Sequence, residues 1–341
     1  MDRSIFLAAL NALAPVILLI LLGYVLKQRG FLSEAFLKNG NWLVFYICFP
    51  AMLFTNVYDV AGFSAINWQF ILYCMAAVLV IFVVGLVAAV AVTPVPNRRG
   101  VIWQSAFRSN FIILGMSVAG ALGGGEAAAL VSVTASFVIP LFNVLAVIAL
   151  TVFTDGAKGN APTPGSVLLD TLRNPHVVSV IVGMVCLALR EAQRAVFGEV
   201  VFSLQVHLKF LYTLLKNITS ITTPLALLIL GGQFVFSAAG ELFREILAGT
   251  VCRVLVSPVL GIGGAWAFSR MGLLTCGSHE YITLIALFGA PAAVASAIMA
   301  TEMGGDEQLA TQIVVWSSLL SVFTFFAEVV LLMQLGLVAV I

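Results

Sequence analysis

Charge is what this sequence has least of. Asp, Glu, Lys and Arg make up 9% of its 341 residues against 62% hydrophobic ones, too little polar surface to coat a soluble globule of that length. The 16 basic side chains stand singly or in pairs and nearly balance the 15 acidic ones. No cationic patch could track phosphates, which sets nucleic-acid binding aside. Histidine is scarce: His207 and His279 are separate and close to loops, and His176 sits beside Pro175, so no metal constellation forms. The five cysteines, at 48, 74, 186, 252 and 276, lie mostly inside apolar runs without CxxC spacing, as small core residues do. No HExxH, Walker loop, dinucleotide fingerprint or nucleophile set is present, so neither enzyme chemistry nor a cofactor is expected.

What is abundant is long apolar sequence. Ten runs have membrane-span length, each closed by charge, Gly or Pro, at roughly 5–27, 41–59, 68–93, 101–122, 126–153, 174–190, 217–237, 243–268, 281–302 and 307–338. The fold class expected is an all-α polytopic membrane protein. Residues 1–22 could imitate a signal peptide, but the run continues through Leu26 to Lys27, which favours an uncleaved first helix. Residues 195–216 alternate apolar and polar positions, suiting an interfacial helix or the true start of span seven. Residues 154–170, TDGAKGNAPTPGSVLLD, are the sole candidate linker. They divide the chain into a first half (1–153), a short cytoplasmic linker (154–173) and a second half (174–341).

One run is interrupted. Residues 286–305, ALFGAPAAVASAIMATEMGG, carry Gly289 and Pro291 mid-span, where freed backbone groups are tolerated only if buried in protein or lining a wet cavity. The interruption has a counterpart in the first half. Laying Asn110 on Pro291 without a gap makes Ala119, Gly123, Gly124, Glu126, Ala129, Val133 and Ser136 coincide with identical residues. PVILLILLG at 15–23 likewise resembles PHVVSVIVG at 175–183, and Pro50 with AMLF resembles Pro224 with LALL, in the same order in each half. Such a repeat points to a transporter built from two related halves. Five helices per half is an odd number, so the second half should lie inverted relative to the first.

Cations beside the spans set the orientation. Lys27, Arg29, Lys38, Arg98, Arg99, Lys158, Arg173 and Arg244 flank the odd-numbered loops; Arg3, Arg190, Arg194, Lys209, Lys216 and Arg270 mark the other face. The bias puts the odd loops and the linker in the cytoplasm and both termini outside.

If the halves cross, Arg108-Ser109-Asn110 and the Gly115-Met116-Ser117 stretch face Gly289 and Pro291. Helix N-termini meeting there favour an anion, with Arg108 offering a fork for a carboxylate and Asn110 an orienting amide. The candidate substrate-binding set is therefore Arg108, Asn110, Gly115, Ser117, Gly289 and Pro291, with Arg108 otherwise reaching the interface and Asn110 otherwise joining helices. Glu328 stands in an apolar run as a group able to couple an ion, or else to pair with Arg253. Glu126 and Glu307 follow the Gly-Gly turns and suit helix capping.

The stretch at 13–54, LAPVILLILLGYVLKQRGFLSEAFLKNGNWLVFYICFPAMLF, together with Arg108-Ser109-Asn110, Asn174-Pro175 with Gly183, Pro224-Leu225-Ala226-Leu227 with Gly231, and Ala290-Pro291-Ala292 to Gly305-Asp306, resembles the auxin efflux carrier family of the prokaryotic, malonate- or malate-permease type. The resemblance implies a fold of the bile, arsenite and riboflavin transporter type: a scaffold domain, and a transport domain whose broken fourth and ninth helices cross at the site. It further implies elevator-like carriage of a small organic anion across the plasma membrane, with Asn110 matching the family's crossover asparagine, and it is compatible with a homodimer. Two departures stand out: Ser117 occupies a place where many relatives have Pro, and the linker is short. A sodium-coupled carrier of the bile-acid symporter type is the alternative in the same class. A channel or membrane sensor is the alternative outside it, though no ring of like charges or filter motif marks a pore.

Overall fold

A computed structural model describes residues 14–15, 18–59, 67–111, 115–157, 172–234 and 238–339. The expected start of span one, most of the linker and the chain ends fall outside the described residues. Helices dominate because apolar runs in lipid must satisfy their own backbone groups. They are α1 (Leu18–Gln28), α2 (Glu34–Tyr58), α3 (Trp68–Val92), α4 (Pro96–Phe107), α5 (Met116–Ala157), α6 (Pro175–Phe197), α7 (Lys209–Gln233), α8 (Phe243–Arg270), α9 (Ser278–Leu284, continued by a π-helical turn Ile285–Gly289), α10 (Val294–Glu302) and α11 (Glu307–Gln334). Among the described residues, seven helices are long and apolar enough to span a membrane: α2, α3, the Val133–Phe153 part of α5, α6, α7, α8 and α11.

Local chemistry fixes the helix ends. Asn67, Asn174 and Asp306 accept hydrogen bonds from the backbone N–H of Phe70, His176 and Leu309 at 3.1, 2.9 and 2.9 Å, starting α3, α6 and α11. α2 begins at Glu34, earlier than hydropathy placed span two, because Ser33 caps it by accepting from Phe36 N–H at 3.1 Å. α6 runs past Arg190, the residue expected to close span six. The Arg190 guanidinium donates to the Tyr58 carbonyl and lies 4.9 Å over the Tyr58 ring, so its charge is accommodated inside the helix. Residues 195–216 are no single interfacial helix: Gly198 ends α6 in the left-handed conformation (φ 79°), a short turn Leu204–His207 follows, and α7 starts at Lys209. α5 is one helix only in name. Gly124 (φ 63°, ψ −155°) breaks it where the sequence separates spans four and five.

Packing sorts the helices into two groups. α2 packs on α6 and α7, while α3, α4, α5, α8, α9 and α11 pack on one another; α10 touches both sets, meeting α2 and α7 as well as α4 and α11, and α5 also touches α2 and α6. In the first group, α1 meets α7 through glycines: a Cβ on Gly231 would lie 1.9 Å from the Ile20 carbonyl oxygen, and one on Gly23 2.1 Å from that of Leu228. Small residues let backbones approach where lipid supplies no hydrophobic drive. In the second group, Tyr73 on α3 donates to the Gly261 carbonyl at 2.5 Å. At one end, Arg98 donates to Asp306 (3.0 Å) and Glu245 (3.1 Å), joining the starts of α4, α8 and α11. Burial alone would lower the Arg98 pKa, but these two carboxylates hold it above its ordinary value.

Candidate functional site

Both interruptions predicted from the sequence are present, and they meet. α4 stops at Phe107, after which Arg108 is extended (φ −84°, ψ 99°); α9 stops at Gly289, after which Ala290 (φ −58°, ψ 145°) and Ala293 (φ −65°, ψ 134°) are extended. The two extended pieces run antiparallel, with Ser109 bridged to Ala292. Asn110 N–H donates to the Pro291 carbonyl at 2.8 Å, and Ala293 N–H to the Arg108 carbonyl at 3.0 Å. Each break thus satisfies backbone groups that the other frees, which is how non-helical backbone is tolerated when buried inside the protein. Ser317 on α11 adds an acceptor for Ala292 N–H at 3.1 Å, and Gln104 on α4 donates to the Ser296 carbonyl at 2.9 Å.

The negative helix ends are neutralised from within the protein. Arg253 on α8 is fully buried, and its guanidinium donates to the carbonyls of Ala106 (3.3 Å) and Phe107 (3.0 Å) at the end of α4. It also donates to Leu287 (3.4 Å) and Phe288 at the end of α9, and to Ser257 Oγ at 2.8 Å. These are the carbonyls that helix termination orphans, and the partial negative charge there suits a cation.

The opposite, positive side of the crossing borders a cavity of ≈ 70 Å³ lined by Arg108, Ser109, Asn110 and the first residues of α10, Val294 and Ala295. That exceeds the roughly 10–15 Å³ one water needs. Across it stand Met52 and Asn56 of α2 and Thr223 of α7, so the cavity lies between the two helix groups. Arg108 is buried; Nη2 donates to Asn143 Oδ1 at 2.8 Å and Nη1 contacts Met299 Sδ at 2.6 Å. Among the described residues no ion pair involves Arg108, and no acidic residue lines the cavity. The Asn110 amide nitrogen and Ser109 Oγ are buried without a hydrogen-bond partner among the described residues. A guanidinium, an amide donor, a hydroxyl and a helix N-terminus at one small cavity can hold an oxyanion.

The other residues singled out from the sequence stand behind this surface. Pro291 supplies the carbonyl that receives Asn110 N–H. Gly115 gives a close approach, since a Cβ there would sit 2.9 Å from the Ala286 carbonyl oxygen, and Gly289 packs against the Glu328 carboxyl. Ser117 belongs to α5; its side chain, like residues 112–114, lies outside the described residues. Asn56, Asn143 and Thr223 escaped the sequence reading. Asn143 left a signal, a lone amide within an apolar run, which in a membrane helix needs a partner.

Comparison with known proteins gives a family. A family model described as "Membrane transport protein" matches residues 8–327. A search of curated proteins finds no match. With most of its length matched and several apolar helices of spanning length, this is a multi-pass membrane transporter and not an enzyme, and the chain belongs to the membrane transport protein family, that of the auxin efflux carriers.

Proposed function

We propose that the chain carries small organic anions, carboxylates foremost, across the plasma membrane. The carrying observation is Arg108: a buried cation with no acid beside it among the described residues, next to an Asn110 amide nitrogen that has no partner among them, at a cavity bounded by both helix groups. A buried charge normally has a partner, and here a carboxylate solute supplies one. Arg108 forks the carboxylate, Asn110 orients it, and the α10 N-terminus adds partial positive charge; Gly115, Ser117, Gly289 and Pro291 shape the crossing.

The architecture that fits this role is ten spans in two inverted five-helix repeats, 1–153 and 174–341, joined by the short cytoplasmic linker at 154–173, with both termini outside. α1, α2, α6 and α7 form a scaffold, and spans three to five and eight to ten move against it as a rigid body, in an elevator-like alternation. The packing supports that reading: two sets of helices face each other across the cavity, and α10 at its edge is the main element that touches both. Counterflow in proteoliposomes with a panel of mono- and dicarboxylates, at fixed pH with and without sodium, tests it. At least one carboxylate is expected to exchange in wild type and to fail in Arg108→Ala and Asn110→Ala. Undiminished exchange in both variants would remove the site, and exchange that vanishes without sodium would favour the sodium-coupled alternative.

A further inference from the structure

Behind the crossing, on the side away from the anion cavity, stands a second ionisable group that takes no part in the anion site. Glu328 lies on α11 with both carboxyl oxygens buried and unpartnered among the described residues. Its carboxyl rests on the break in α9: a Cβ on Gly289 would stand 2.1 Å from Oε2 and 3.0 Å from Cδ. Its stem faces an otherwise apolar groove of ≈ 390 Å³ between α8 and α11, lined by Pro258, Ile262, Trp266 and Leu332 among others. Of the elements packed around it, α8 brings one charged group, Arg253, close enough to interact electrostatically but not within ion-pair distance. The turn Ile285–Gly289 brings none.

An ionised carboxylate with no hydrogen bond and no contact ion pair is untenable in such a setting. It needs a proton or a cation. A metal cation would have to take oxygen ligands from the surrounding backbone, yet the nearby carbonyls of Phe107, Leu287 and Phe288 already receive the Arg253 guanidinium. Building on the anion-carrier reading above, we propose that Glu328 is the proton site that couples transport to a proton gradient, with Arg253 as the positioning residue that senses its charge. With the proton on, Glu328 is neutral and Arg253 stays on the carbonyl ends of α4 and α9, holding the crossing closed. When the proton leaves to water on the side the moving helices open toward, the carboxylate competes with those carbonyls for the guanidinium and loosens the crossing. The ligand is thus a proton, held at an occluded carboxyl next to the same helix break that shapes the anion site from its other side.

The test uses the full-length protein in proteoliposomes, with net uptake under a pH gradient of either sign and counterflow at equal pH measured on the same vesicles. For a monovalent carboxylate carried with one proton, a gradient of one pH unit gives about tenfold accumulation. Wild type is expected to respond to one sign of the gradient, with or without sodium. Glu328→Gln, a neutral near-isostere, is expected to keep counterflow and lose the gradient response, while Glu328→Asp, which restores a titratable group, recovers part of it. A gradient response in Glu328→Gln equal to wild type would overturn the proposal, as would a response that requires sodium or the joint loss of counterflow in Glu328→Gln. No counterflow in wild type would instead overturn the anion-carrier reading on which it rests.

Discussion

Arg108 and Arg253 approach the same backbone crossing from opposite sides and serve opposite helix ends. The two terminal nitrogens of Arg253 donate to four carbonyls and one hydroxyl, whereas Arg108 has one amide, one thioether and a cavity. Mutation should separate the two roles. Arg253→Met leaves several buried carbonyls unsatisfied at about 1–3 kcal/mol each and is expected to lower the melting temperature of the purified protein clearly. Arg108→Ala frees a single acceptor, Asn143 Oδ1, so it should lower that temperature less than Arg253→Met does, and it should weaken carboxylate binding by about 2–5 kcal/mol, roughly 30-fold to more than 1,000-fold in apparent affinity. Arg108→Lys keeps the charge but loses the bidentate fork and should fall between. A melt of each variant beside its uptake affinity checks the division. The sequence made Arg108 and Asn110 legible because they sit at an interruption with a second copy. The task of Arg253 was hidden, because carbonyls acquire an address only when two distant segments fold together.

At the scale of elements, the breaks were visible in the sequence and their pairing was not. Gly289 and Pro291 announce a discontinuity in α9 by their chemistry, and the repeat transfers the expectation to Asn110. Only the structure shows antiparallel pairing, Ser109 on Ala292. Helix ends were less legible: Ser33 starts α2 ahead of the apolar run, and Tyr58 lets α6 carry Arg190 past the expected end. Hydropathy counts charges without seeing their partners. The contact of α1 with α7 makes a separate prediction. Gly231→Ala puts a Cβ 1.9 Å from the Ile20 carbonyl oxygen, so the helices must part, at about 1–3 kcal/mol. Gly263→Ala, with open space around its Cβ, is the control expected to melt like wild type.

At the scale of the molecule, the two helix groups must slide if the elevator reading holds, and cross-linking can ask whether they do. Thr55 and Thr219, whose hydroxyls lie 3.1 Å apart, join α2 to α7 within the first group. Gln308 of α11 donates to the Gln233 carbonyl of α7 at 3.3 Å, across the boundary. With the five native cysteines replaced by alanine, a short thiol cross-linker between cysteines at 233 and 308 should abolish counterflow, and one between cysteines at 55 and 219 should leave it near the uncrosslinked rate. Loss of transport in both, or in neither, would argue against movement along this boundary.

The anion site itself carries the account, and an anomalous difference map of the protein crystallised with a bromine-substituted small carboxylate reads it most directly. A bromine peak at the cavity bounded by Arg108, Asn110 and Val294, absent from Arg108→Ala crystals, is the predicted result. A peak elsewhere in the molecule, or one in the cavity that persists after Arg108→Ala, would contradict it.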